Sequence, residues 1–196
     1  MFEICEELKV DKLYISHLVY SGRGKDNLEI DISKEQRRKY VEFIIDKAFE
    51  YYKNGNNIDL VTGNMEMDAI MLLDRFKKEY PDFVETLEQK LKAWGGNSAG
   101  YRLGNMDWAG NVKPDPFFPF VVGNYLETPF DEIWTSSSND ILNKLREHPR
   151  QIKGRCAQCK YIEICNGGSR SRAYAISGDL WEEDPSCYLT LEETRR

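Results

Sequence analysis

Lys12-Leu-Tyr-Ile-Ser-His-Leu-Val-Tyr20, closed by Ser21-Gly22-Arg23-Gly24, decides how the first half of this chain is read. Its β-branched and aromatic residues predict a buried strand, and the small residues after it predict a turn. A helix is expected next: Ser33 and Gln36 form a capping box, and Tyr40, Val41, Ile44, Ile45, Ala48, Phe49 and Tyr52 recur at helical spacing before Gly55. Residues 58–62 predict a second strand, closed by Gly63-Asn64, and helical patterns run over 66–80 and 82–94. Strand, helix, strand, helix is the order of parallel β-α-β units. Two strands are too few to cover both faces of a parallel sheet, so residues 1–94 are expected to be the last portion of a larger α/β barrel or open sheet. A short helix over 2–9 with no N-cap agrees with a start inside something larger.

After residue 94 the composition changes to Gly, Asn, Pro and aromatics. Residues 101–107 and 111–113 flank Ala109-Gly110 as a hairpin, and 129–134 and 138–147 read as short helices. With 196 residues, a net charge of −6 and Lys and Arg scattered among carboxylates, the chain lacks the basic stripe of a general nucleic-acid binder. No apolar run reaches the length of a membrane span, and the N-terminus lacks the charged and apolar segments of a signal peptide. The expected location is cytoplasmic, with neither membrane nor nucleic acid as partner.

Four of the five cysteines, Cys156, Cys159, Cys165 and Cys187, are spaced C-x2-C-x5-C-x21-C. In a reducing compartment an odd number of thiols argues for metal ligation rather than disulfides. Cys5, beside Phe2 and Leu8 at helical spacing, is expected to be a small buried hydrophobe. C-x2-C opens many zinc sites, but those usually close with a second C-x2-C or an H-x3-5-H. Three cysteines plus a distant fourth suit a 4Fe-4S cubane, in which each iron takes one thiolate. Backbone N–H groups of Asn166-Gly167-Gly168 are candidates to donate to such a cluster, and on this reading region 154–189 is held mainly by its metal.

The same spacing, with Trp94-Gly-Gly-Asn-Ser-Ala-Gly100, Gly110-Asn-Val-Lys-Pro-Asp115, Cys165-Asn-Gly-Gly-Ser-Arg-Ser-Arg-Ala173 and Gly178-Asp-Leu-Trp-Glu-Glu-Asp-Pro-Ser-Cys187, resembles the SPASM-type radical S-adenosylmethionine enzymes. Together with His17-Leu-Val-Tyr-Ser-Gly-Arg-Gly24 these motifs resemble their tetrapyrrole branch: the NirJ-like proteins of haem d1 biosynthesis and the siroheme-dependent route to haem. The resemblance implies an α/β fold, with the end of a partial (β/α) barrel over 1–94 and a small cluster-stapled α+β SPASM-like domain over 95–196. It also implies one auxiliary 4Fe-4S cluster on the four cysteines and an iron tetrapyrrole substrate whose acetate or propionate side chains are removed or decarboxylated.

The chain departs from the family twice. The C-x3-C-x2-C of the initiating cluster is absent, so S-adenosylmethionine and a second 4Fe-4S cluster are expected only in a complete enzyme. The chain is then expected to be a C-terminal fragment or split-gene half, inactive alone, with a missing N-terminal half or partner subunit. Asp115 and Ser169 stand where the wider family has further cluster cysteines, so a single auxiliary cluster is expected.

If the strands close a barrel, the groups at their C-terminal ends face the active site: His17, Tyr20, Ser21, Arg23, Asn64 and Glu66. Arg23 is a candidate to pair with substrate carboxylates, and His17 is either a tetrapyrrole ligand or a hydrogen-bonded core residue. Arg170 and Arg172 are expected to neutralise the cluster or hold propionates. Asp184-Pro185 is expected to turn the chain back to Cys187, His148 to cap a helix, and the four tryptophans to fill the core and shield the cluster. Two other readings stay open: a stand-alone iron-sulfur binding or electron-transfer module, and a zinc-stabilised interaction domain.

Overall fold

The computed structural model describes residues 1–195, and residue 196 lies outside them. The fold is mixed α/β. Helix α1 (Phe2–Glu7) leads into strand β1 (Lys12–Ser16), α2 (Lys34–Lys53), β2 (Asp59–Gly63), α3 (Asp68–Glu79) and α4 (Val84–Trp94). β1 and β2 pair in parallel, from Lys12 opposite Asp59 to Ser16 opposite Gly63. The expected β-α-β unit is therefore present. The Ser33 hydroxyl accepts from the Gln36 N–H while the Gln36 side chain accepts from Ser33, which completes the capping box.

β1 stops four residues short of the expected Tyr20. Its partner ends at Gly63, and Asn64, with φ of 61°, turns the backbone away, so after one last bond from His17 N–H to Gly63 O nothing remains to pair with. Residues Gly22–Ile30 wind into 3-10 turns that carry no apolar periodicity and were not foreseen. A small antiparallel sheet follows, β3 (Asn105–Met106), β4 (Asn111–Lys113) and β5 (Gly123–Asn124); the third strand adds to the expected hairpin.

The remaining helices are short: α5 (Phe130–Thr135), α6 (Asp140–Arg146), α7 (Ile162–Cys165), α8 (Arg170–Ser177) and α9 (Leu191–Thr194). The largest apolar cluster joins Val41 and Ile45 of α2 to Ile70, Met71 and Leu73 of α3, and continues into Cys159, Ile164, Cys165, Cys187 and Leu189. Full burial of side chains such as Ile70 and Leu73 contributes roughly 1.5–3 kcal/mol each. Three of the four candidate ligands, Cys159, Cys165 and Cys187, thus belong to the same core as α2 and α3. Cys5 packs separately with Tyr51 and Ile58 as a buried hydrophobe, although its expected neighbour Leu8 is exposed.

Two of the tryptophans are not core. Trp108 is 98% exposed in the β3–β4 turn and Trp94 is 59% exposed beneath the Arg102 guanidinium. Trp134 stacks on Phe130, and only Trp181 packs near the cysteines, beside Ile152, Cys156 and Ile162. His148 is exposed and does not cap α6, whose C-terminal bond is made by the Glu147 N–H; its ring instead lies against Gly95. Among the described residues no helix is long and apolar enough to cross a membrane.

Candidate metal centre

Cys156 lies in a 3-10 turn over Gly154–Gln158, Cys159 follows that turn, Cys165 ends α7, and Cys187 follows the Asp184-Pro185-Ser186 bend. All four thiols are free and buried. They lie within electrostatic reach of one another, since each of the other three raises the Cys165 pKa. As free thiols, three of them are held protonated mainly by burial: Cys156 is pushed up to about 12, Cys187 to about 11, and Cys165 well above its ordinary range. A bound cation or cluster reverses that balance by taking the thiolate form. Among the described residues, no three His, Cys, Asp or Glu side chains stand ready around a single metal ion. A cubane is less demanding in this respect, because each thiolate binds its own iron and the sulfurs need not converge on one point.

The surroundings suit a negatively charged group. The Arg170 side chain, fully buried, is close enough to Cys156 and Cys165 for their charges to act on it. Arg155 donates to the carbonyls of Cys187 and Leu189, and the backbone N–H groups of Gly167 and Leu189 lie close enough to Cys165 and Cys187 to favour their thiolates, against the larger effect of burial. Gly168, at φ of 68°, has no room for a Cβ, which would sit 2.6 Å from Asp184 Oδ2. The tight turn after Cys165 therefore requires glycine. The protein also supplies staples of its own here: Asp184 takes the Arg172 guanidinium at 2.8 and 2.7 Å and accepts from the N–H groups of Ser169 and Ser186. This pair is almost fully buried, and Arg172 holds the Asp184 carboxyl below its usual range despite burial. Region 154–189 is accordingly tied by its own ions as well as by any metal.

The other candidate residues fall in different places. Arg172 also donates to Leu18 O, and Arg170 donates to the carbonyls of Gly167, Gly168, Leu180 and Glu182, so both guanidiniums are committed to internal acceptors. Neither faces an open pocket. Arg23 is exposed in the 3-10 segment, and its guanidinium has no protein partner among the described residues. His17 is inside, with Nδ1 accepting from Arg37 at 3.0 Å and Nε2 donating to Asp68 at 2.9 Å. Asp115 and Ser169, which replace cysteines of the wider family, are both buried; Asp115 accepts from the Phe117 N–H, and Ser169 caps α8.

A cavity of about 730 Å³ opens at the C-terminal end of β2. Its wall includes Asn64, Glu66, Asn97, Asp115, Phe117 and Ile164. Glu66 accepts from Asn97 at 2.9 Å, and its buried Oε2 has no partner. Burial raises the pKa values of both Glu66 and Asp115. Asn64 and Glu66 were candidates from their place after a strand, whereas Asn97 and Asp115 join them through the fold.

No family model matches the chain. Pre-heme d1 synthase of Dinoroseobacter shibae is 40% identical over 99% of this chain and 48% of its own length. Fe-coproporphyrin III synthase of Methanosarcina barkeri is 36% identical over 98% of this chain and 49% of its own length. AdoMet-dependent heme synthase of the same organism is 30% identical over 95% of this chain and 50% of its own length. Among solved structures, native anSMEcpe with bound AdoMet and Cp18Cys peptide superposes on 95% of this chain and 48% of its own, with a TM-score of 0.56 at 17% identity, a likeness of fold. The chain thus spans about half the length of the curated relatives it matches, and it is, over nearly all of its residues, a homologue of the pre-heme d1, Fe-coproporphyrin III and AdoMet-dependent heme synthases.

Proposed function

We propose that this chain is the auxiliary-cluster half of a radical S-adenosylmethionine enzyme that removes or decarboxylates acetate or propionate side chains of an iron tetrapyrrole. On this reading, residues 1–94 complete a partial barrel and residues 95–196 form a SPASM-like domain. Cys156, Cys159, Cys165 and Cys187 would hold one 4Fe-4S cluster. The rest of the enzyme, on the same chain or a cytoplasmic partner, would bring C-x3-C-x2-C, a second cluster and S-adenosylmethionine. The observation that carries the proposal is four buried thiols at this spacing, beside a buried guanidinium, in a homologue of haem-forming enzymes.

When bound, the cluster would accept or relay the electron released as the side chain is lost. The residues of this chain prepare for that in separate ways. Arg170 offsets the charge of the thiolates, and the Gly167 and Leu189 N–H groups share the load on the sulfurs. Trp181 and Ile162 keep water from Cys156. Arg23, exposed near the C-terminal end of β1, is free to meet a substrate carboxylate.

The test is anaerobic purification of the chain, reconstitution with iron and sulfide, and analysis of both. Four iron and four sulfide per chain are expected, with the visible absorption of a cubane; one zinc without sulfide would overturn the assignment. For the enzyme, the chain supplied with a C-x3-C-x2-C partner should release 5'-deoxyadenosine and change the mass of an added iron tetrapyrrole. If no such partner supports turnover, the chain is a binding or electron-transfer module.

A further inference from the structure

The residues on either side of Cys187 are the two ends of one chain of side-chain hydrogen bonds. On one side, Ser186 Oγ meets the Tyr20 hydroxyl at 3.0 Å, and Tyr20 donates to Asp31 at 2.7 Å. Asp31 also accepts from Arg37 at 2.8 Å, and the other arm of the same guanidinium donates to His17 Nδ1. His17 Nε2 donates to Asp68, whose second oxygen accepts from the Tyr188 hydroxyl at 2.7 Å. The series runs from residue 186 to residue 188 and so closes into a ring through Cys187.

The donors can be assigned around the whole ring. Tyr20 gives its proton to Asp31, so Ser186 donates to Tyr20; Arg37 cannot accept, so His17 is protonated at Nε2, the tautomer Asp68 requires. Every hydroxyl, carboxylate and imidazole of the ring has a partner in this pattern, and Arg37 Nε is the one buried polar atom of its members left without one among the described residues. The ring is also inside the protein: the side chains of His17, Asp68 and Arg37 are 8%, 7% and 3% exposed. Partners this far apart in sequence, 166 residues for Tyr20 and Ser186 and 120 for Asp68 and Tyr188, fix the Cys187 loop against the segment that follows β1 and the start of α3.

We infer that this ring positions Cys187 on its iron, making His17, Asp68, Tyr188 and Tyr20 positioning residues for the cluster; the inference rests on the cluster proposed above. Cys156, Cys159 and Cys165 come from one short stretch, whereas the fourth ligand is carried on a separate loop that needs its own anchor. His17 then serves the cluster through Asp68 and Tyr188, with both ring nitrogens occupied, rather than the iron of a substrate.

The experiment uses the full chain, reconstituted with iron and sulfide and reduced, and reads iron content, the electron paramagnetic resonance spectrum and the midpoint potential. A wild-type chain without iron and sulfide refutes the cluster itself, separately from the ring. With the cluster present, Tyr188→Phe and His17→Leu should shift the g-values and the potential while four iron remain. His17→Gln, which keeps one donor and one acceptor, should return both toward wild type. Tyr51→Phe, which loses a hydroxyl bond to Glu6 in the separate cluster around Cys5, apart from the four candidate ligands, should leave them unchanged. An unshifted spectrum and potential in Tyr188→Phe, or an equal shift in Tyr51→Phe, overturns the inference. If the first two variants do not accumulate, Tyr20→Phe decides: a shift supports the ring and none refutes it.

Discussion

The α2–α3 layer and the region from residue 150 to residue 189 are packed together, yet they fill their interiors differently. α2 and α3 bury Val41, Ile44, Ile45, Ile70, Met71 and Leu73, with Arg37 and Asp68 as their buried charged groups. Between 150 and 186 the buried groups include Arg150, Asn166, Ser169, Arg170, Ser171, Arg172, Asp184 and Ser186. Apolar packing is tolerant, because each side chain gains by leaving water whatever its exact neighbour. A buried guanidinium is not, since its desolvation is offset only while particular acceptors stay in place. The contrast teaches that one half of the core is built to be stable and the other to hold a fixed arrangement.

Substitutions can break or sharpen this contrast. The largest effect is expected for Cys187→Ala in the reconstituted chain: it should lose the cluster or leave a labile three-iron species, seen in iron analysis, and lower the unfolding midpoint of the C-terminal region. Asp184→Ala should cost about 3–5 kcal/mol in urea unfolding, because Arg172 would remain buried without its counter-charge. In the apolar layer, Ile70→Val should cost only about 0.5–1.5 kcal/mol by the same measurement. A loss there equal to that of Asp184→Ala would erase the distinction.

Smaller still is the link from the α2–α3 layer to the helix that follows the second region, where Arg38 of α2 holds Glu193 of α9 at 2.8 and 2.7 Å. The Arg38 hydrogen bonds pull the Glu193 pKa down from 4.5 to about 2. A depressed carboxylate stabilises the fold above its ordinary pKa, and that stability is lost as pH falls from 4.5 toward 2. Glu193→Gln should therefore cost no more than about 1 kcal/mol at neutral pH and should flatten the acid limb of the stability curve. Cys5→Ala should leave the iron content unchanged, because Cys5 packs with Tyr51 and Ile58 away from the other thiols.

How much of this was legible in the sequence follows the same division. Ser33 and Gln36 announced the start of α2, and its apolar repeat announced its buried face, because both signals act within a few residues. The four-cysteine spacing and its neighbouring motifs likewise pointed to the haem-forming relatives. The early end of β1 was not legible, since it depends on where β2 stops pairing. Nor was the ring around Cys187, whose partners are scarcely neighbours in sequence. Trp108 misled because a large aromatic residue suggests a core, and only the hairpin geometry leaves it in water. Asp115 was noted for the cysteine it replaces, but its place in the cavity beside Asn97 emerged only with the fold.

The bonds from Tyr20 to Ser186, from Leu18 to Arg172 and from Arg38 to Glu193 each span more than 150 residues. Contacts of such separation form late, because the closure entropy must be met before they return anything. The α2–α3 layer, joined by a short crossover, can collapse while the chain is still being synthesised. The surroundings of the fourth thiolate cannot, as they bring residues 18 and 20 against residues 172 and 186. A cluster that takes its fourth thiolate from Cys187 is therefore completed only after residues 184–194 have been made.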